Sequence, residues 1–239
     1  MENLSFLPKK FRILSGSALK LLAVIFMIID HIAYYCKSPD LSIYIIMRII
    51  GRLAAPIFWF CFVEGYKRTR NKKKYKIRLL IAAIIMSVGN VVIHYVCDTE
   101  KLSLFKPNMF LSFLMCAITI DIINKCIKSK SIIKTIVFFV LSIIIVFFIG
   151  TYCEYSYFII SFILLYHFVQ NDVIKNQLYI LLMVVLSILL KAPLQIFAIG
   201  SVLFFAIYNN TKPKHNWKCF FYLFYPLHIW FLIIISKLL

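Results

Sequence analysis

Apolar runs close to 20 residues long recur along this chain, and they constrain its fold before any motif is considered. Each can cross a bilayer core of ~30 Å at ~1.5 Å rise per residue. In lipid no water satisfies the backbone, so a spanning segment must be a helix or a strand of a closed barrel. These runs are apolar on all sides and lack the two-residue alternation of a barrel strand. Composition agrees: 63% of the 239 residues are hydrophobic and only 15% are charged, too few to clothe a soluble domain in polar surface. The expected fold class is all-α. We expect a polytopic transmembrane helical bundle in the cell inner or plasma membrane, with residues 1–239 as a single integral membrane domain.

About nine spans are expected by length. The first is Ala18 to Cys36, the second Ile43 to Tyr66, and the third ends near Cys97. The fourth is Pro107 to Asn124, the fifth Ile132 to Gly150, and the sixth follows Glu154 and ends near Gln170. A short seventh, Leu178 to Leu190, is followed by an eighth reaching Asn209 and a ninth from Cys219 to Leu239. Lys191 and Pro193 mark a tight turn or a helix break, so the seventh and eighth also read as one broken or re-entrant unit. The first run lacks a small-x-small cleavage site and reads as a retained span.

The net charge of +18 sits mainly in short loops. That distribution points to the positive-inside bias and to anionic headgroups, and no aromatic-basic pattern of nucleic-acid binding accompanies it. Placing the loop Lys67 to Arg78 in the cytoplasm puts the N-terminus there too, with Lys9, Lys10, Arg12 and Lys20. Lys125 to Lys134, Lys175, Lys212, Lys214 and Lys218 fall on the same side. The other face receives Lys37, Lys101, Lys106, Lys191 and Lys237. Seven cysteines show no CxxC spacing. Cys36, Cys97 and Cys153 share one membrane face, as free thiols or as disulfide partners. No metal-binding, phosphate-loop or GxSxG motif is present, and no metal is expected.

Charged side chains inside a span cost ~2.5–3.5 kcal/mol each on insertion, so each asks for a function or a partner. Asp30 and His31 are adjacent in the first span; Arg48, Arg52 and Glu64 lie in the second. Arg48 and Arg52 are four residues apart and share a helix face, where two cations need an anion. Asp30 lies at similar depth. Asp30 and His31 point about 100° apart and cannot form one tight dyad. His31 suits a general base, having an ordinary pKa near neutrality. His228 lies mid-span, two residues after Pro226, which kinks the helix and frees the carbonyl four residues back. His94, Asn108, Glu154 and Gln195 fall toward the outer side.

Three segments carry a family resemblance. Ala18 to Tyr35 has an LK–IDH pattern with Lys20, Asp30 and His31. Met47 to Leu80 holds Arg48, Gly51, Arg52, Pro56, Phe58, Glu64, Gly65, Tyr66, Thr69, Asn71, Tyr75 and Arg78 in fixed register. Phe220 to Leu232 has Tyr222, Tyr225, Pro226 and His228. Together they resemble the TraX family of membrane proteins, named for the conjugative pilin acetylase.

The resemblance implies an acyltransferase that moves an acetyl group from acetyl-CoA, as co-substrate, to an amine or hydroxyl of a peptide, protein or glycan acceptor. His31, or else His228, would be the base; Asp30 would act through Arg52, and Arg48 would face the oxyanion. Arg68, Arg70, Lys72, Lys73 and Arg78 would hold the CoA phosphates, and Glu64, Asn71 and Tyr75 of the same motif would also belong to the CoA site. Glu154, Gln195, His94 and Asn108 would line the acceptor side. Two other readings are compatible with buried charge: a proton-coupled transporter or channel, and a non-catalytic membrane assembly protein.

Overall fold

A computed structural model describes residues 8–36, 40–211 and 218–238, and among them the regular structure is helical. Lys37, Lys212, Lys214 and Leu239 lie outside the described residues, as do the side chains of Lys9, Lys218 and Cys219. In chain order the helices are α1 (Gly16–Cys36), α2 (Leu41–Gly51), α3 (Ala54–Arg68), α4 (Lys72–Cys97) and α5 (Met109–Lys128). There follow α6 (Ile132–Tyr152), α7 (Ser156–Phe168), α8 (Asp172–Leu189), a 3-10 segment (Pro193–Gly200), α9 (Ser201–Ala206) and α10 (Lys218–Leu238).

Seven of these segments are long and apolar enough to span: α1, the α2–α3 pair, α4, α5, α6, α8 and α10. The chain is a multi-pass membrane protein. The expected sixth and eighth segments are helical but short, at Ser156–Phe168 and Pro193–Ala206. Thirteen residues of α7 rise only about 20 Å, less than the hydrocarbon core. Left-handed backbone stops α4 at Asp98 (φ 44) and α8 just before Lys191 (φ 50), whereas α6 ends in extended backbone at Cys153 and left-handed Tyr155 and Ser156 (φ 60 and 46) lead into α7. The Lys191–Pro193 break is therefore present.

One break lies inside a segment that reads as continuous in the sequence. The second span stops at Gly51 and restarts at Ala54. Pro56 has no N–H to give the carbonyl of Arg52, so the helix cannot run straight through. The backbone tightens instead: Arg52 N–H reaches Arg48 O at 3.1 Å and Ile49 O at 3.2 Å, and Leu53 N–H reaches Ile50 O at 3.2 Å.

The helices group into two compact units, Met1–Glu64 with Leu165–Leu239, and Gly65–Leu164. In the first, α1 packs against α2 on one side and α10 on another, and α8 and α2 both pack on the 3-10 segment. The buried stripe of α1 is Leu19, Ala23, Met27 and then Asp30 with His31, the three-to-four spacing of one helix face. The approach of α2 is close: a Cβ at Gly51 would overlap the Asp30 side chain. An aromatic cluster of Phe60, Tyr166, Tyr179 and Phe205 fills this unit elsewhere.

In the second unit α5 packs between α4 and α6. Leu79, Ala83, Met86 and Asn90 form the buried face of α4. α6 is the reverse of a soluble helix: Ile133, Ile136, Phe139, Ile143, Ile144 and Phe147 are exposed and Ile149 is buried. Lipid is the apolar solvent for that surface. The expected outcome for the first unit is that Gly51→Ala drives α2 off Asp30 and destabilises the protein by about 1–3 kcal/mol, read as a lowered thermal unfolding midpoint in detergent.

Candidate active site

A carboxylate buried in a span needs cations, and the α2 break supplies two. Asp30 is 4% exposed. Arg52 Nη2 lies 2.6 Å from both of its oxygens, and Arg48 Nη1 lies 2.9 Å from Oδ1. The same Arg48 nitrogen donates to the Asp30 backbone carbonyl at 3.4 Å, and Arg52 Nε donates to the Arg48 carbonyl at 3.3 Å. Arg48 Cζ also sits 5.3 Å from the centroid of the Tyr34 ring, a cation–π contact. Its Nε is buried and makes no hydrogen bond. One carboxylate against two guanidiniums leaves this trio one positive charge in excess.

The next residue along α1 looks the other way. His31, 7% exposed, turns to α10 and meets His228, 9% exposed. His31 Nδ1 and His228 Nε2 are 2.7 Å apart. On its far side His228 Nδ1 contacts the Phe224 carbonyl at 2.8 Å. That carbonyl is not the one Pro226 frees, which belongs to Tyr222; α10 continues through the proline. The Phe224 ring is parallel to His228, within 7° at 5.0 Å between centroids, and Tyr35 meets His31 edge-on at 5.8 Å. The two residues that diverge on α1 therefore each find a partner, Asp30 on α2 and His31 on α10. The histidines share the first unit with all three members of the charge cluster.

The residues expected at the CoA site, Glu64 apart, belong to the second unit. Arg68, Arg70, Lys73 and Arg78 are exposed there and Glu64 is half-buried. Asn71 spends its side-chain oxygen capping α4, accepting from Lys74 N at 2.8 Å. Lys72 Nζ lies 4.8 Å from the centroid of Tyr66, and Arg78 Cζ 5.7 Å from that of Tyr75. Beneath them is a group that sequence reasoning overlooked. Tyr66 hydroxyl donates to Asp121 Oδ1 at 2.5 Å, and Lys76 Nζ pairs with Asp121 Oδ2 at 2.5 Å. An acid in the apolar run AITIDII was a visible signal, by the rule that singled out Asp30.

Of the residues expected to line the acceptor side, Asn108 and His94 make local bonds. Asn108, fully buried, donates to Ala83 O at 2.9 Å and Ser87 Oγ at 3.0 Å, and accepts from Leu111 N at 3.0 Å. His94 Nδ1 donates to the Thr99 carbonyl at 2.6 Å, closing the turn after α4. Glu154 lies half-buried between α6 and α7, its backbone carbonyl accepting from Ser112 Oγ at 3.4 Å. Gln195 lies in the 3-10 segment of the first unit, apart in the chain grouping from the other three. Cys36, Cys97 and Cys153 are free thiols.

Comparison with known proteins places these residues in context. The chain is 28% identical over 233 residues to a protein named probable fimbrial assembly protein FimC, serogroup H1, of Dichelobacter nodosus. That alignment covers 90% of this chain and 93% of the relative. It is 44% identical over 75 residues to the uncharacterized protein RP591 of Rickettsia prowazekii (strain Madrid E), covering 31% of this chain and 27% of that one. No solved structure matches it. The description TraX protein matches residues 15–236, a stretch containing Asp30, His31, Arg48, Arg52 and His228, and the chain belongs to the TraX family.

Proposed function

We propose that this chain transfers an acetyl group from acetyl-CoA to an acceptor amine, at the N-terminus of a peptide or protein, or to a hydroxyl. The observation that carries the reading is the pairing, on consecutive residues of α1, of a buried imidazole with a carboxylate that fixes two guanidiniums. Acyl transfer needs both parts. A base takes the proton of the attacking nucleophile, and fixed hydrogen-bond donors or positive charge meet the oxyanion that forms at the thioester carbonyl.

In this scheme the acceptor nitrogen or oxygen attacks the thioester carbon and its proton passes to His31. The carbonyl electrons move onto oxygen, where Arg48 stabilises them; Arg52, with Nη2 bonded to both Asp30 oxygens, serves chiefly to hold Asp30. Collapse re-forms the carbonyl and breaks the C–S bond, and the leaving thiolate takes the proton from His31. The exposed cations Arg68, Arg70, Lys73 and Arg78, with Lys72, suit the CoA phosphates. The Dichelobacter nodosus relative is named for fimbrial assembly, and a fimbrial subunit is the acceptor proposed on that ground. That name is equally compatible with assembly without catalysis, and product analysis separates the two.

Acetylated products, read by mass spectrometry in cells with and without the chain, are expected only with it. Identical products in both sink the transferase reading. His31→Ala is expected to lower turnover by about 10²–10⁴-fold while the purified protein remains folded, and unchanged turnover removes His31 as base. Arg48→Gln is expected to cost about 10²–10³-fold in kcat with little loss of stability, because Asp30 keeps Arg52. Asp30→Asn strands the buried Arg52 and the half-buried Arg48 and is expected to cost about 3–5 kcal/mol. Equal melting shifts for these two variants contradict the charge accounting. CoA at 100 times its Kd is expected to stabilise the wild type by about 2.7 kcal/mol; no shift at any soluble concentration argues for a rival class.

A further inference from the structure

The hydrogen bonds around the two histidines run in one direction, and that direction fixes which nitrogen of His31 is basic. A carbonyl oxygen can only accept, so the hydrogen in the 2.8 Å contact with Phe224 O is on His228 Nδ1. A neutral imidazole carries one ring hydrogen, which leaves a lone pair on His228 Nε2. In the 2.7 Å contact with His31, His228 is then the acceptor and the hydrogen lies on His31 Nδ1. His31 is left with its lone pair on Nε2.

The ring geometry agrees with this assignment. An imidazole lone pair lies in the ring plane, so a good N–H···N bond needs rings that meet edge to edge. The two planes are within 7° of parallel, and the bonded nitrogens are 2.7 Å apart while the centroids are 4.9 Å apart. Rings stacked face to face would have comparable separations. Phe224 fixes His228 twice, by its carbonyl and by a ring parallel to the imidazole at 5.0 Å between centroids. His31 and Asp30 make no hydrogen bond to each other, so the orienting group for this imidazole is not the neighbouring carboxylate.

We propose that His228 is a positioning residue: held by the Phe224 carbonyl, it accepts from His31 Nδ1–H and so presents His31 Nε2 as the reacting lone pair. This rests on the reading of His31 as the base. It assigns His228 the part that a carboxylate plays in other orienting pairs, with no second negative charge brought into the membrane. It also divides the work between the two histidines, since the nitrogen of His228 that faces His31 is an acceptor engaged in holding it.

The test uses the full-length protein with 15N-labelled histidine in detergent or bilayers. The wild type is expected to show His31 protonated at Nδ1 and bare at Nε2. His228→Phe keeps a flat ring but removes the acceptor, so His31 is expected to shift toward the Nε2–H form, and kcat to fall by roughly 10²-fold with KM for acetyl-CoA little changed. His228→Gln, whose amide oxygen can accept from Nδ1–H, is expected to recover most of that rate. Wild-type His31 with its hydrogen on Nε2 overturns the proposal, even if no variant folds. So does His228→Gln falling to the level of His31→Ala, which would make His228 itself the base. An Nδ1–H tautomer in a protein that transfers no acetyl group leaves the hydrogen-bond assignment standing and removes the acetyl-transfer reading instead.

Discussion

Neutralising Asp30 is the constraint around which the first unit is built. An uncompensated carboxylate in a hydrocarbon core is costly, and every local feature near it serves the compensation. Pro56 breaks the second span four residues after Arg52, which tightens the backbone at the break. Gly51 has no Cβ, so α2 approaches until its backbone touches the Asp30 side chain. Arg48 and Arg52 then reach the same carboxylate from successive turns. The register of α1 against α2 is thereby specified by charge, something that methyl groups against lipid cannot do.

Because residues on a helix diverge by about 100°, solving the problem at Asp30 leaves His31 free to serve another neighbour. It faces α10, and a second polar pair forms with His228. α1 thus carries a cationic cluster on one side and an imidazole pair on the other, one residue apart in sequence. That juxtaposition is what makes the site suited to acyl transfer. The second unit handles its own half-buried acid in a parallel way: Asp121 is met by one cation, Lys76, and one phenol, Tyr66. There the group ties α4 and α5 together beneath the basic segment, whose exposed lysines and arginines remain turned outward.

Much of this was readable from residues alone. Seven of the nine expected spans, the pairing demanded by Arg48 and Arg52, and the divergence of Asp30 from His31 follow from length, spacing and charge. Two things were harder to read. The break at Arg52–Leu53 is hidden because hydropathy does not change across it, and only Pro56 betrays it. Asp121 lies close to the lysines that end its span, where a carboxylate reads as solvated. Asn108, Asn71 and His94 show the opposite difficulty. Their residue types suggest ligand binding, while their polar atoms cap helices and close turns.

The sequence by itself determined that the chain crosses a membrane as helices, because a 20-residue apolar run has no other way to satisfy its backbone in lipid. It also determined which residues could not be left alone there. Which helix lies beside which was decided only by the tertiary structure. Lipid tails are as apolar as leucine, so an apolar surface states that a helix belongs in the bilayer and says nothing about its neighbour. The bond between His31 and His228 joins residues 197 apart in the chain, and no local pattern encodes it. It exists because α1 packs on both α2 and α10, with the salt bridges to Asp30 fixing how α1 is turned between them.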